Sequence, residues 1–137
     1  MGLSYAEDEA HVMCFNAAKS WQAGWYTNKT LTMNVGRNGI DTDCFNGAIS
    51  GIADYGATSN NVLIKIQNPH MNGKDLYVTF NSKKGINSGT QEAGDLVTIV
   101  LQGQEPYAQS SLLAKMDVGS IYQTPEWSDK PLTIKVL

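Results

Sequence analysis

A chain of 137 residues is long enough for one domain with a substantial core. Its 42% hydrophobic and 17% charged residues exclude a disordered tail, and 13 glycines point to many turns. Only 10 lysines and arginines within a net charge of −3 leave no basic surface for nucleic acid, and no run of apolar residues is long enough to span a membrane.

In chain order, the acidic stretch Ala6–Ala10 has no apolar period and reads as an exposed loop, with His11 beside it. Asn16–Ala23 is predicted to be helical. Asn16 can cap the first turn, Ala17, Ala18, Lys19 and Gln22 favour helix, and Gly24 can adopt the left-handed conformation that ends one. Trp21 and Trp25 lie four apart and are expected to share a face turned towards protein, with Phe15 adding to the aromatic load.

After Tyr26 the pattern alternates. Leu31–Val35 starts a strand, Asn38-Gly39 marks a turn, and Ala48–Ala53 is a weaker strand interrupted by Gly51. Val62, Ile64 and Ile66 are predicted to share an inward face, with Lys65 and Gln67 outward. Asp75–Asn81 repeats the scheme, with Leu76, Val78 and Phe80 inward and Tyr77, Thr79 and Asn81 outward, so the two segments form a hairpin. Leu96–Gln102 is apolar on both faces and reads as a covered central strand. Ser111–Val118 alternates with Leu112, Ala114, Met116 and Val118 inside, and Leu132–Leu137 closes the sheet. The fold expected is mainly β: a short N-terminal helix, then an antiparallel sandwich or barrel-like domain.

Little of this carries chemistry. His11 and His70 stand alone, without ligand-spaced company, and there is no HExxH, no nucleophile elbow and no phosphate loop around Gly85–Gly94. Asp41-Thr42-Asp43 fails the EF-hand pattern at Phe45, Asn46 and Ile52. Asn28-Lys29-Thr30 is a glycosylation acceptor triplet, relevant if the chain is secreted. Cys14 and Cys44 pack as small hydrophobes if they are unpaired. Trp127 is expected to pack beneath its Pro125–Pro131 loop. The alternative is that it joins Tyr55, Tyr107 and Tyr122 in offering rings to sugars, as a carbohydrate-binding or adhesion module would.

Met1-Gly2-Leu3-Ser4-Tyr5, an acidic run and then Met13–Tyr26 (MCFNAAKSWQAGWY) resemble the segment that follows the zinc motif in gametolysin-like metallopeptidases. These are secreted or wall-associated proteases of green algae, with related sequences in diatoms. Gly85-Ile86-Asn87-Ser88-Gly89-Thr90 and the segments around Val62–Ile66 and Tyr77–Asn81 are similar to that family's C-terminal region. One departure is Leu3, where the family often has tyrosine two residues after its turn methionine. The resemblance implies that residues 1–26 are the end of a catalytic domain and residues 27–137 a β-rich C-terminal domain. Met1 would form the methionine turn beneath the metal, and Phe15, Trp21 and Trp25 would buttress the catalytic half. Zinc and its ligands would belong to the full-length parent and not to this chain, which would be inactive alone. Its partners would be the N-terminal catalytic half of the same polypeptide and a protein or glycoprotein substrate. The parent would be extracellular or in the cell wall, with its signal upstream of an internal Met1. In such a parent Cys14 and Cys44 have a second reading, a disulfide worth roughly 3–4 kcal/mol by chain entropy.

Overall fold

The computed structural model describes residues 14–34, 44–68, 73–124, 127 and 131–137. Met1, the acidic loop, His11, Val35, the Asn38-Gly39 turn, Asp41–Asp43, Pro69, His70, Asn72 and Pro125 lie outside them.

Helix α1 spans Ala17–Gln22. Asn16 caps it as predicted, its Oδ1 accepting the Lys19 backbone N–H at 3.0 Å. The end is a Schellman motif, with Gly24 at φ +75° and the Gly24 and Trp25 N–H groups donating to Trp21 and Ser20 carbonyls. Helix therefore stops at Gln22. Tyr26 also takes a left-handed conformation, at φ 62°.

Five strands form one sheet in chain order: β1 Thr30–Asn34, β2 Leu63–Gln67, β3 Lys74–Asn81, β4 Leu96–Gly103 and β5 Ser110–Met116. From β2 to β5 the pairing is antiparallel, including the predicted β2–β3 hairpin. The β1–β2 pair is parallel, from Thr30 opposite Leu63 to Asn34 opposite Gln67, so the sheet is mixed. Residues 35–62 are long enough for the crossover that parallel strands need. Where described, this crossover contains bridges from Ile49 to Asn61 and from Gly51 to Phe80, and a 3-10 turn at Ile52–Asp54, rather than the weak strand predicted for Ala48–Ala53.

The last two strands, β6 Ile121–Gln123 and β7 Thr133–Lys135, leave the sheet and pair with each other. They form a ribbon over one face, so Leu132–Leu137 does not close the main sheet. Together these elements make a mainly β, sandwich-like body.

Both sheet faces are covered. Ile64, Ile66, Leu76, Val78 and Ile99 meet Met33, Met116 and Trp127 on the ribbon side, with Tyr122, Leu132, Ile134 and Val136 packed against them. On the other face Ala17 and Ala18 of α1 seal Val62, Leu63, Tyr77 and Val100. This second cover corrects the expectation that Lys65 and Tyr77 point to solvent: both are buried. Val62, which precedes β2, belongs to the helix side and not with Ile64. A boundary at Tyr26 would fall inside this second core.

β5 departs from its predicted phase. Ile99 pairs with Ala114 and Val100 with Leu112, leaving Leu113 as the extra residue of a β-bulge. Leu112 and Leu113 are consequently exposed, as is Val118 beyond the strand end, while Met116 remains in the core. Trp127 is buried in the main core, so it is not available as a sugar platform.

Candidate functional site

Polar side chains fasten α1 to the sheet. Asn16 Nδ2 donates to Ser110 Oγ at 3.0 Å, and Lys19 Nζ donates to the Ala108 carbonyl at 2.6 Å. Gln22 Nε2 donates to the Pro106 carbonyl at 2.5 Å and its Oε1 accepts from Gln102 Nε2 at 3.2 Å. Beneath the helix lies an ion pair. Lys65 Nζ is 3.2 Å from Asp75 Oδ2, with side chains 5% and 0% exposed, and sits 3.5 Å from the centre of the Trp21 ring. Asp75 also accepts from Gln104 Nε2 at 3.3 Å and from the Asn68 backbone N–H at 3.4 Å. Tyr77 tilts against Trp21 at 5.7 Å, and burial followed by the nearby Asp75 charge pushes its hydroxyl pKa well up.

Where the described chain enters, the Cys14 backbone N–H donates to Asn87 Oδ1 at 2.9 Å. Asn87 Nδ2 in turn donates to Asn81 Oδ1 and the Ser82 carbonyl. Burial pushes the Cys14 thiol pKa up, and at Tyr26 burial leads, with Cys14 and Tyr55 adding to it.

Because the helix ends early, Trp25 does not share a face with Trp21. It stacks on Phe15 with ring centres 5.4 Å apart, and the two remain 47% and 56% exposed. Of the three aromatic residues expected to buttress a catalytic half, Trp21 is turned into the β body while Phe15 and Trp25 face outward. Beside them Tyr26 and Tyr55 pack at 4.6 Å, and the Tyr55 hydroxyl donates to Asn28 Oδ1 at 2.5 Å.

The ribbon face holds a cleft of about 550 Å³. Its floor is the apolar side of the sheet, including Met33, Ile64, Ile66, Val78, Phe80 and Met116, and its walls are residues 44–49 and 132–137. Sequence periodicity could not reveal this space, because its walls come from segments far apart in the chain. Its size and apolar lining suit a small apolar ligand or an inserted side chain.

No bond joins Cys14, which is half-buried, to Cys44, which is exposed, in this structure. They serve different places, Cys14 at the chain entry and Cys44 on the cleft wall. No group of three or more histidine, cysteine, aspartate or glutamate side chains that could hold a metal ion occurs among the described residues. No helix among them is long and apolar enough to cross a membrane. Comparison with protein-family models, curated proteins and solved structures found no match to this chain.

Proposed function

We propose that this chain is the C-terminal part of a gametolysin-like secreted zinc metalloendopeptidase. The complete polypeptide would hydrolyse peptide bonds with a zinc-activated water, and this chain would back the catalytic half. The observation that carries the proposal is the division of labour within the motif. Asn16, Lys19, Trp21, Gln22 and Gly24 are all spent on building and fastening one helix, whereas Phe15 and Trp25 stack outward beside the point where the preceding chain joins. Two exposed, mutually stacked large aromatic rings are what a packing partner on that side would cover.

The test is the reading frame upstream of Met1 and the protein it encodes. It should contain an HExxH within some tens of residues, and the product should hold zinc and cleave a casein-type substrate until chelator is added. The present chain alone should do neither. An upstream frame without the motif, or a joined protein that is folded and inert, overturns the proposal.

The apolar cleft favours a second reading, a non-catalytic binding or adhesion module that takes an apolar side chain of a cell-wall glycoprotein. Saturable binding of a wall glycoprotein that Phe45→Asp abolishes while the wild-type melt is kept, in a chain whose upstream frame lacks HExxH, would favour it.

A further inference from the structure

We propose that Asn28 carries an N-linked glycan whose first sugar lies against the Tyr26–Tyr55 ring pair. The proposal rests on the secreted reading above. Asn28-Lys29-Thr30 is the sole Asn-x-Ser/Thr triplet in the sequence, and the fold gives each member a place. Asn28 is exposed on the 3-10 turn Thr27–Lys29. Its Oδ1 is held by the Tyr55 hydroxyl, while its Nδ2 makes no hydrogen bond among the described residues.

Lys29 reaches the same loop as Asn28. Its ammonium donates to the carbonyls of Tyr55 and Thr58 and lies 4.9 Å from the centre of the Tyr55 ring, which fixes that ring beside Asn28. Thr30 Oγ1 donates to the Tyr26 carbonyl at 2.8 Å. The Asn28 side chain thus reaches the surface with its nitrogen unbonded among the described residues and with the Tyr55 ring, itself packed on Tyr26, beside it. The apolar C–H face of a hexose packs on such rings.

The transfer is a substitution at carbon. Asn28 Nδ2 attacks C1 of an oligosaccharide linked to a lipid diphosphate. The C1–N bond forms, the C1–O bond to the diphosphate breaks, the lipid diphosphate departs and Nδ2 gives up one proton. In the folded protein the Thr30 hydroxyl and Asn28 Oδ1 are both engaged, so transfer must precede docking of the Tyr55 loop.

The full chain, sent through a eukaryotic secretory pathway behind a heterologous leader, should emerge heavier by one glycan. Peptide N-glycosidase should remove the excess and leave aspartate at position 28. Asn28→Gln and Thr30→Ala should both abolish the modification, and Thr30→Ser should keep it. Secreted wild-type chain with position 28 unmodified overturns the site.

Trimming to a single N-acetylglucosamine then tests the placement. Its proton resonances should move upfield relative to the same sugar on an unfolded peptide, through the ring currents of Tyr26 and Tyr55, and Tyr55→Leu should diminish the movement. Unshifted resonances in the wild type overturn the stacking, and they do so even if Tyr55→Leu fails to fold. Because the leader supplies secretion, a negative result leaves the protease proposal standing. An inert joined protease would likewise leave the glycan.

Discussion

Removing one partner of the Lys65–Asp75 pair should be among the most damaging substitutions in the molecule. Both side chains are out of water, so whichever remains keeps a desolvated charge, at a cost of about 3–5 kcal/mol. Lys65→Met should fall near the lower end, because Asp75 keeps Gln104 and the Asn68 backbone N–H as donors. Asp75→Leu should fall near the upper end, because among the described residues Lys65 keeps only the ring of Trp21, worth about 1–2 kcal/mol, and the more distant Tyr77. Against a total of roughly 5–15 kcal/mol for a domain, either change removes a large share. At roughly 3–5 °C per kcal/mol for this size, melting should fall by about 10–25 °C. The double variant Lys65→Met/Asp75→Leu should be much closer to wild type, about 1–3 kcal/mol down, since no charge is stranded and only the Gln104 and Asn68 donors lose an acceptor. Urea unfolding followed by far-ultraviolet circular dichroism is the suitable assay, because Trp21 emission would report the substitution itself. A single variant costing under about 1 kcal/mol, or a double whose loss equals the sum of the singles, would refute the account of a desolvated, coupled pair.

Asn16→Ala removes the helix cap and the bond to Ser110, and should destabilise by about 1–2 kcal/mol in urea titrations; Asn16→Ser, which keeps the cap, should recover most of it. Deleting residues 1–26 strips Ala17, Ala18 and Trp21 from Leu63, Tyr77 and the ion pair, so the remainder should lose its cooperative melt; a soluble 27–137 fragment with a sharp transition would contradict this. Cys14, Tyr26 and Tyr77 all have raised pKa values, so the folded state holds protons that the unfolded chain releases. That contribution is complete below about pH 8.5 and fades as pH climbs through the alkaline range. The urea midpoint should fall with rising pH, less steeply in Tyr77→Phe, and a flat profile would be the contrary result.

Local chemistry was legible in the sequence. Asn16 and Gly24 announce the helix ends because a cap and a left-handed residue act within a few positions of themselves. β2, β3 and β5 follow from period-two patterning and turn residues, and β4 from a run that is apolar on both faces. What could not be read is which faces are covered. Lys65 alternates like a surface residue, and only the arrival of α1 on that face, with Asp75 supplied by the neighbouring strand, buries it. Trp25 obeyed helical spacing but lies beyond the Schellman stop, so a correct cap was paired with an incorrect face. Leu112 was misassigned because a single bulge residue reverses the phase of everything before it. The cleft has no sequence signal at all, since its walls, residues 44–49 and 132–137, come together only in the fold.

Parallel pairing of β1 with β2 also sets a timetable for synthesis. The strands from β2 to β5 are neighbours in sequence and can zip by short loops, whereas β1 must wait for β2 and α1 must wait for β3 and β4. A ribosome that has just made Asn28 still has 75 residues to add before the β4 strand ends at Gly103. At about 5–20 residues per second this is roughly 4–15 s. Throughout that interval the N-terminal segment has no finished sheet to dock on, so the first part of the chain to be made is among the last to find its place. Enzymes that meet the nascent chain therefore reach residues 14–34 as extended polypeptide, with the Tyr55 loop not yet closed over Asn28.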